Sequence, residues 1–164
     1  MKNYLYVFLI GMLPLIELRG AIPVAYAINA KDPHFSLLLA YIFIIISNIL
    51  PVPLIYFFAH KILLWGKNKA LIGQFCTFFL EKGEKAGKKM QEKAGSGLFI
   101  ALVLFVGIPL PGTGAWTGAL AASLLNMKFK PTMFAVTCGV ILAGIIIGLL
   151  CTLGFGAWFG VNAL

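Results

Sequence analysis

The sequence predicts an all-α integral membrane protein built as two inverted repeats, each a re-entrant helical hairpin followed by a transmembrane helix. Three observations carry this. Hydrophobic residues make up 61% of the 164 and charged residues 11%, against roughly 25% charged in a soluble domain. Mean hydropathy is +0.99, more apolar surface than a soluble fold of this length can hide. Finally, two of its four apolar blocks run unbroken, whereas the other two are interrupted near their middles by proline and glycine.

The first block covers residues 3–16, breaks at Glu17-Leu18-Arg19-Gly20, and resumes over 21–30. Pro14, Gly20 and Pro23 are its expected break points, because proline lacks a backbone donor and glycine allows sharp reversals. Each arm is about half a membrane thick, which suits a hairpin that dips in and returns. The start resembles a signal peptide, with Lys2 and Ala25-Tyr26-Ala27, but Glu17 and Arg19 interrupt the region that a cleavable signal keeps apolar. A retained membrane segment is expected. The second block, 35–59, is long enough to span. Asn48, Pro51 and Pro53 should bend it and free backbone carbonyls.

Residues 61–97 hold eight lysines and three glutamates. Ala70, Leu71, Phe75, Phe78 and Phe79 give this loop a half-apolar stripe, read as an amphipathic interfacial segment before a basic helix. The third block, 98–127, is broken at Gly107, Pro109, Pro111, Gly112 and Gly114. The fourth, 131–164, carries no charge. Pro14 and Pro109 are 95 residues apart, a weak internal repeat. The chain is thus one membrane domain: a first repeat over 1–60, the basic loop over 61–97 and a second repeat over 98–164.

If each hairpin crosses the membrane zero times, the repeats are inverted. Ten lysines then lie inside and two outside. Four full spans would give nine and three. The basic loop is therefore expected in the cytoplasm of a multi-pass protein of the cell membrane. The net charge of +8 is read as topology and contact with anionic lipid, with no nucleic-acid partner.

Two groups of residues could carry chemistry. Glu17 and the sole arginine, Arg19, lie in an apolar membrane segment, which is costly and points to function. One reading is a proton-coupling carboxylate beside an anion-binding guanidinium, whose fork suits phosphate. The other is a structural ion pair pinning the hairpin tip. The second group is Pro109-Leu110-Pro111-Gly112-Thr113-Gly114-Ala115-Trp116-Thr117-Gly118. It offers freed amides and a helix N-terminus for an anion, two hydroxyls and an indole face. Its plainer reading is a tight turn with Gly114 and Gly118 as a packing pair. The expected substrate or ion-binding residues are Glu17, Arg19, Pro109, Pro111, Gly112, Thr113, Gly114, Trp116 and Thr117. The two tips should meet, bringing Arg19 close to the 109–116 turn. No HExxH, GxSxG or P-loop ending occurs, so no enzyme activity, cofactor or metal is expected. Cys76, Cys138 and Cys151 form no framework.

At Glu17-Leu18-Arg19-Gly20-Ala21-Ile22-Pro23 and Pro109-Leu110-Pro111-Gly112-Thr113-Gly114-Ala115-Trp116 the chain resembles the small multidrug export family. More distantly it is similar to the DedA/VTT superfamily, through the order of proline-glycine turn, small residues, Met127, Phe129 and a glycine-bearing span. The resemblance implies two inverted re-entrant hairpins and ion-coupled transport, with Glu17 at the family's acidic position. In DedA relatives it implies movement of lipid carriers such as undecaprenyl phosphate. Those relatives carry arginines in the second hairpin, where this chain has none. The expectation is a small secondary transporter, proton- or ion-coupled, exporting a small amphipathic or anionic substrate as a homo-oligomer. The alternatives are a DedA-type lipid flippase and a non-transporting membrane scaffold.

Overall fold

A computed structural model describes residues 2–14, 16–67 and 97–158. Among the described residues seven helices form: α1 (Lys2–Met12), α2 (Glu17–Lys31), α3 (Leu37–Ile49), α4 (Val52–Lys67), α5 (Gly97–Gly107), α6 (Ala115–Leu124) and α7 (Phe129–Trp158). No strand occurs among the described residues. The amphipathic stripe expected between Ala70 and Phe79 lies outside them, as does Cys76.

α1 ends where Pro14 approaches, since the residue before a proline is pushed out of the helical region. A turn follows, in which the amides of Ile16 and Glu17 reach the Leu13 carbonyl at 3.2 and 2.9 Å. Glu17 takes φ +49°, a left-handed value uncommon for a residue with a side chain. Gly20 and Pro23 do not break the chain here: α2 runs through both. Pro23 removes only the bond that would reach the Arg19 carbonyl. Burial of Leu18, Ala21, Ile22 and Ala25 on the same helix outweighs that loss.

The α2–α3 connection is tied by side chains. Asn29 Nδ2 donates to the Phe35 carbonyl at 2.6 Å, the Ser36 amide donates to the Tyr4 hydroxyl at 2.8 Å, and Phe35 stacks on Tyr4. Between α3 and α4 the break falls at Leu50-Pro51, as Pro51 predicts; without its N–H the Ser47 carbonyl has no helical donor. Residues 37–59 together are long and apolar enough to cross a membrane, as is the stretch Phe129–Gly154 of α7.

α6 closes on Asn126, at φ +52°. The Met127 amide bonds the Ala122 carbonyl at 3.0 Å, the 6→1 bond of a Schellman motif with asparagine in glycine's usual place. Tyr56 Oη donates to the Met127 carbonyl and Ser123 Oγ to the Tyr56 carbonyl, tying this corner to α4.

The packing crosses between the two halves of the chain. α1 lies on α2 and α3, and α5 on α7, but α2 lies on α7 and α6 on α4. Small residues make this possible. α6 buries Ala115, Gly118, Ala119, Ala122 and Ser123, a face that lets backbones approach closely. Gly144 and Gly148 of α7 receive Leu18, Ile22 and Tyr41, so that glycine pair packs within the chain. Outward-facing Leu38, Leu54 and Leu153 are at least 70% exposed, an apolar surface suited to lipid.

Candidate functional site

The turn after α1 and the turn before α6 come together. Glu17 is the first residue of α2 and is buried. Its carboxylate accepts from two backbone amides of the other half, Ala115 N–H at 3.2 Å and Trp116 N–H at 3.1 Å. These are among the amides that α6 leaves without helical partners. A carboxylate placed there gains from the helix dipole, by about 0.3–1 kcal/mol at exposed sites and up to ~2 kcal/mol in partly buried ones.

The approach needs Gly114. Its φ of +147° with ψ near 180° is a conformation essentially restricted to glycine. A Cβ there would overlap the Glu17 carboxylate. Gly112, at φ +81°, serves the turn itself, with open space around it.

Arg19 crosses the same junction. Nη1 donates to the Leu110 carbonyl, and Nη2 to Thr113 Oγ1 at 2.6 Å. The Thr113 hydroxyl in turn lies 2.9 Å from the Ile108 and Leu110 carbonyls. Arg19 Nε is buried and finds no acceptor among the described residues. Glu17 and Arg19, two residues apart, thus grip different parts of the second half, and among the described residues they form no ion pair with each other. The direct ion pair of the structural reading is absent among the described residues: the partners of both are backbone groups and a hydroxyl of the 109–117 segment, which need bonding partners in apolar surroundings.

A cavity of about 390 Å³ opens at this junction. It is lined by Pro14, Glu17, Arg19, Pro109, Pro111, Gly112, Thr113 and Thr117. Most residues expected from the sequence are therefore gathered. Gly114 and Trp116 contribute from behind it through backbone, and the Trp116 indole nitrogen has no partner among the described residues. Asn48, Pro51 and Pro53 stand elsewhere, at the bend between α3 and α4. Asn48 Nδ2 donates to the Gly11 carbonyl at 3.2 Å, holding α1 against α3. The sequence reading expected freed amides and a helix N-terminus in this segment but did not name Ala115 or Leu110 among the binding residues, because their contribution is through backbone groups that every residue carries. Among the described residues no three of His, Cys, Asp and Glu gather as a metal site.

Two helices long enough to span, an apolar exterior and a buried polar junction together define an α-helical membrane protein. Residues 17–146 match the family described as "Putative small multi-drug export protein", and the chain belongs to that family. The match begins at Glu17 and takes in both tips. No curated protein and no solved structure matches the chain.

Proposed function

We propose that this chain is a small secondary transporter in which two inverted repeats, α1–α4 and α5–α7, each offer a re-entrant hairpin whose tips meet around the substrate. The hairpins are α1–α2 and α5–α6. The single observation that carries the reading is the cavity between the tips, closed on one side by Glu17 and Arg19 and on the other by Thr113 and the α6 N-terminus. A buried carboxylate and a half-buried guanidinium bordering one cavity are groups that ion-coupled transport can use.

The repeat plan has its own support. α1 and α5 are both 11 residues long and start 95 residues apart. With the same offset Pro14 matches Pro109, and Glu17 matches Gly112, both at positive φ. Eleven residues rise about 16 Å, half of a 30 Å hydrocarbon core. On this plan the 61–97 loop is cytoplasmic in the cell membrane, anionic lipid is its neighbour, and copies assemble into a homo-oligomer. The substrate is a small amphipathic or anionic molecule.

Topology gives a direct check. Single cysteines at Asn3 and Lys128, in a cysteine-free background, are expected to label from the outer and the cytoplasmic side respectively. Four complete spans would reverse both. Function is tested in liposomes holding purified protein and a pH gradient. Gradient-dependent flux of an amphipathic sulfonate is the expected result, lost in Glu17→Gln. Flux of a fluorescent polyprenyl phosphate instead would favour the lipid flippase. Folded protein that moves neither probe would leave a scaffold.

A further inference from the structure

The α6 N-terminus is occupied, and its occupant belongs to the chain. Two amides that would hold an anion hold Glu17 instead, at 3.1 and 3.2 Å. Beside them Arg19 spends two nitrogens on the far tip and keeps a third, Nε, buried without an acceptor among the described residues. An unmet buried donor is costly to desolvate and calls for an acceptor. All of this borders a cavity with room for a head group.

We propose that Glu17 is a built-in stand-in for the substrate's head group, and that a proton on Glu17 hands the α6 amides to the sulfonate, phosphate or carboxylate of an amphipathic anion, which the unpartnered Nε of Arg19 helps to hold. This rests on the transporter reading above and deepens it by naming the substrate's charge and the coupling. With Glu17 ionised its charge offsets that of Arg19, so an entering anion gains no net attraction and finds the amides taken. Protonation removes the negative charge and makes the carboxyl a donor competing with the amides. The Ala115 and Trp116 N–H groups then pass to the substrate's oxygens. One proton and one negative charge enter the site together, and charge is conserved. A cation is disfavoured by the same geometry, since the carboxylate oxygens face backbone donors.

The backbone supports a movable position. Glu17 sits at φ +49° with its bonds to α6 helping to hold it there, and backbone of this kind is strained for a residue with a side chain. Few other charges can intrude. Arg19 is the other charged side chain lining the cavity. Lys2 is at the opposite end of α1 from the tip. Lys130 is in the first turn of α7, 14 residues before the Gly144 that meets Leu18, about 21 Å along the helix. On α2 and α3, Tyr26 and Tyr41 gather at Gly148. Cys138 and Cys151 are the thiols of α7.

The test uses purified full-length protein and octanesulfonate, an anion whose charge does not titrate. Calorimetry from pH 5 to 8.5 should show wild-type binding weakening at least tenfold as pH rises. Glu17→Gln and Glu17→Ala should bind with no pH dependence. Arg19→Gln should bind weakly at every pH. Because a variant can misfold, a second measurement uses the wild type alone: in weakly buffered solution above the carboxyl's titration range, binding should take up about one proton per anion, by reciprocity of linkage. Flat wild-type binding, pH dependence that survives in Glu17→Gln, or proton release on binding would overturn the stand-in. So would binding of octyltrimethylammonium that strengthens as pH rises. Unchanged binding in Arg19→Gln would instead remove the cavity as the substrate site, a separate failure.

Discussion

Arg19→Ala will lower the thermal stability of the protein and stop transport. The guanidinium makes two bonds from the first half of the chain to the second, to the Leu110 carbonyl and to Thr113 Oγ1. Bonds to a charged group contribute about 1.5–3 kcal/mol each. The lower end applies, because Leu110 and Thr113 keep bonds within their own turn. A net loss of about 3 kcal/mol is expected, read as a fall of several degrees in Tm by thermal shift in detergent. Flux should fall further than stability, at least tenfold, since the cavity also loses its one cation. Arg19→Lys keeps the charge but not the fork, so it should recover most of the stability and little of the flux. Wild-type Tm and flux in Arg19→Ala would show that the two tips are held by something else.

The second large effect is at Gly114. Gly114→Ala combines a backbone conformation that alanine rarely adopts with a methyl group set against the Glu17 carboxylate. A loss of about 3 kcal/mol or more is expected, composed of backbone strain of about 1–3 kcal/mol and displacement of the carboxylate from the α6 amides. A double-mutant cycle separates the two. In a Glu17→Ala background the overlap is gone and the strain remains, so Gly114→Ala should cost less there by about 1–2 kcal/mol. Chemical denaturation of the four proteins gives the coupling. Additive effects would mean that the carboxylate does not approach Gly114.

Much of this junction was legible in the sequence because its residues are chemically out of place. A carboxylate and an arginine in an apolar run need partners, and a proline-glycine turn in another apolar run frees backbone groups. That the two meet follows from the shortage of other partners. Pro14 and Pro51 likewise ended helices where expected. Pro23 did not, since one lost hydrogen bond is small beside the burial of four neighbouring side chains. Nor could the pattern show that Glu17 takes the Ala115 and Trp116 amides while Arg19 takes Leu110 and Thr113. At two residues apart their division between partners depends on the left-handed turn at Glu17, and nothing in a glutamate announces a positive φ. The cross-packing of α2 on α7 and α6 on α4 was equally hidden. Helices apolar on every side carry almost no directional signal, and it is the small residues of α6 and the glycines of α7 that decide which backbones come close.

That cross-packing sets an order of events at the ribosome. The inner stripe of α2, Leu18, Ala21, Ile22 and Ala25, is covered in part by α7, whose first residue lies 104 positions after Ala25. At ~5–20 residues per second the stripe waits roughly 5–20 s for its partner to be synthesised. For most of that interval, until residues 110–116 are made, Glu17 and Arg19 are in the nascent chain without the amides, carbonyl and hydroxyl that satisfy them. A chain stalled before α6 presents two unsatisfied ionisable groups to the insertion machinery.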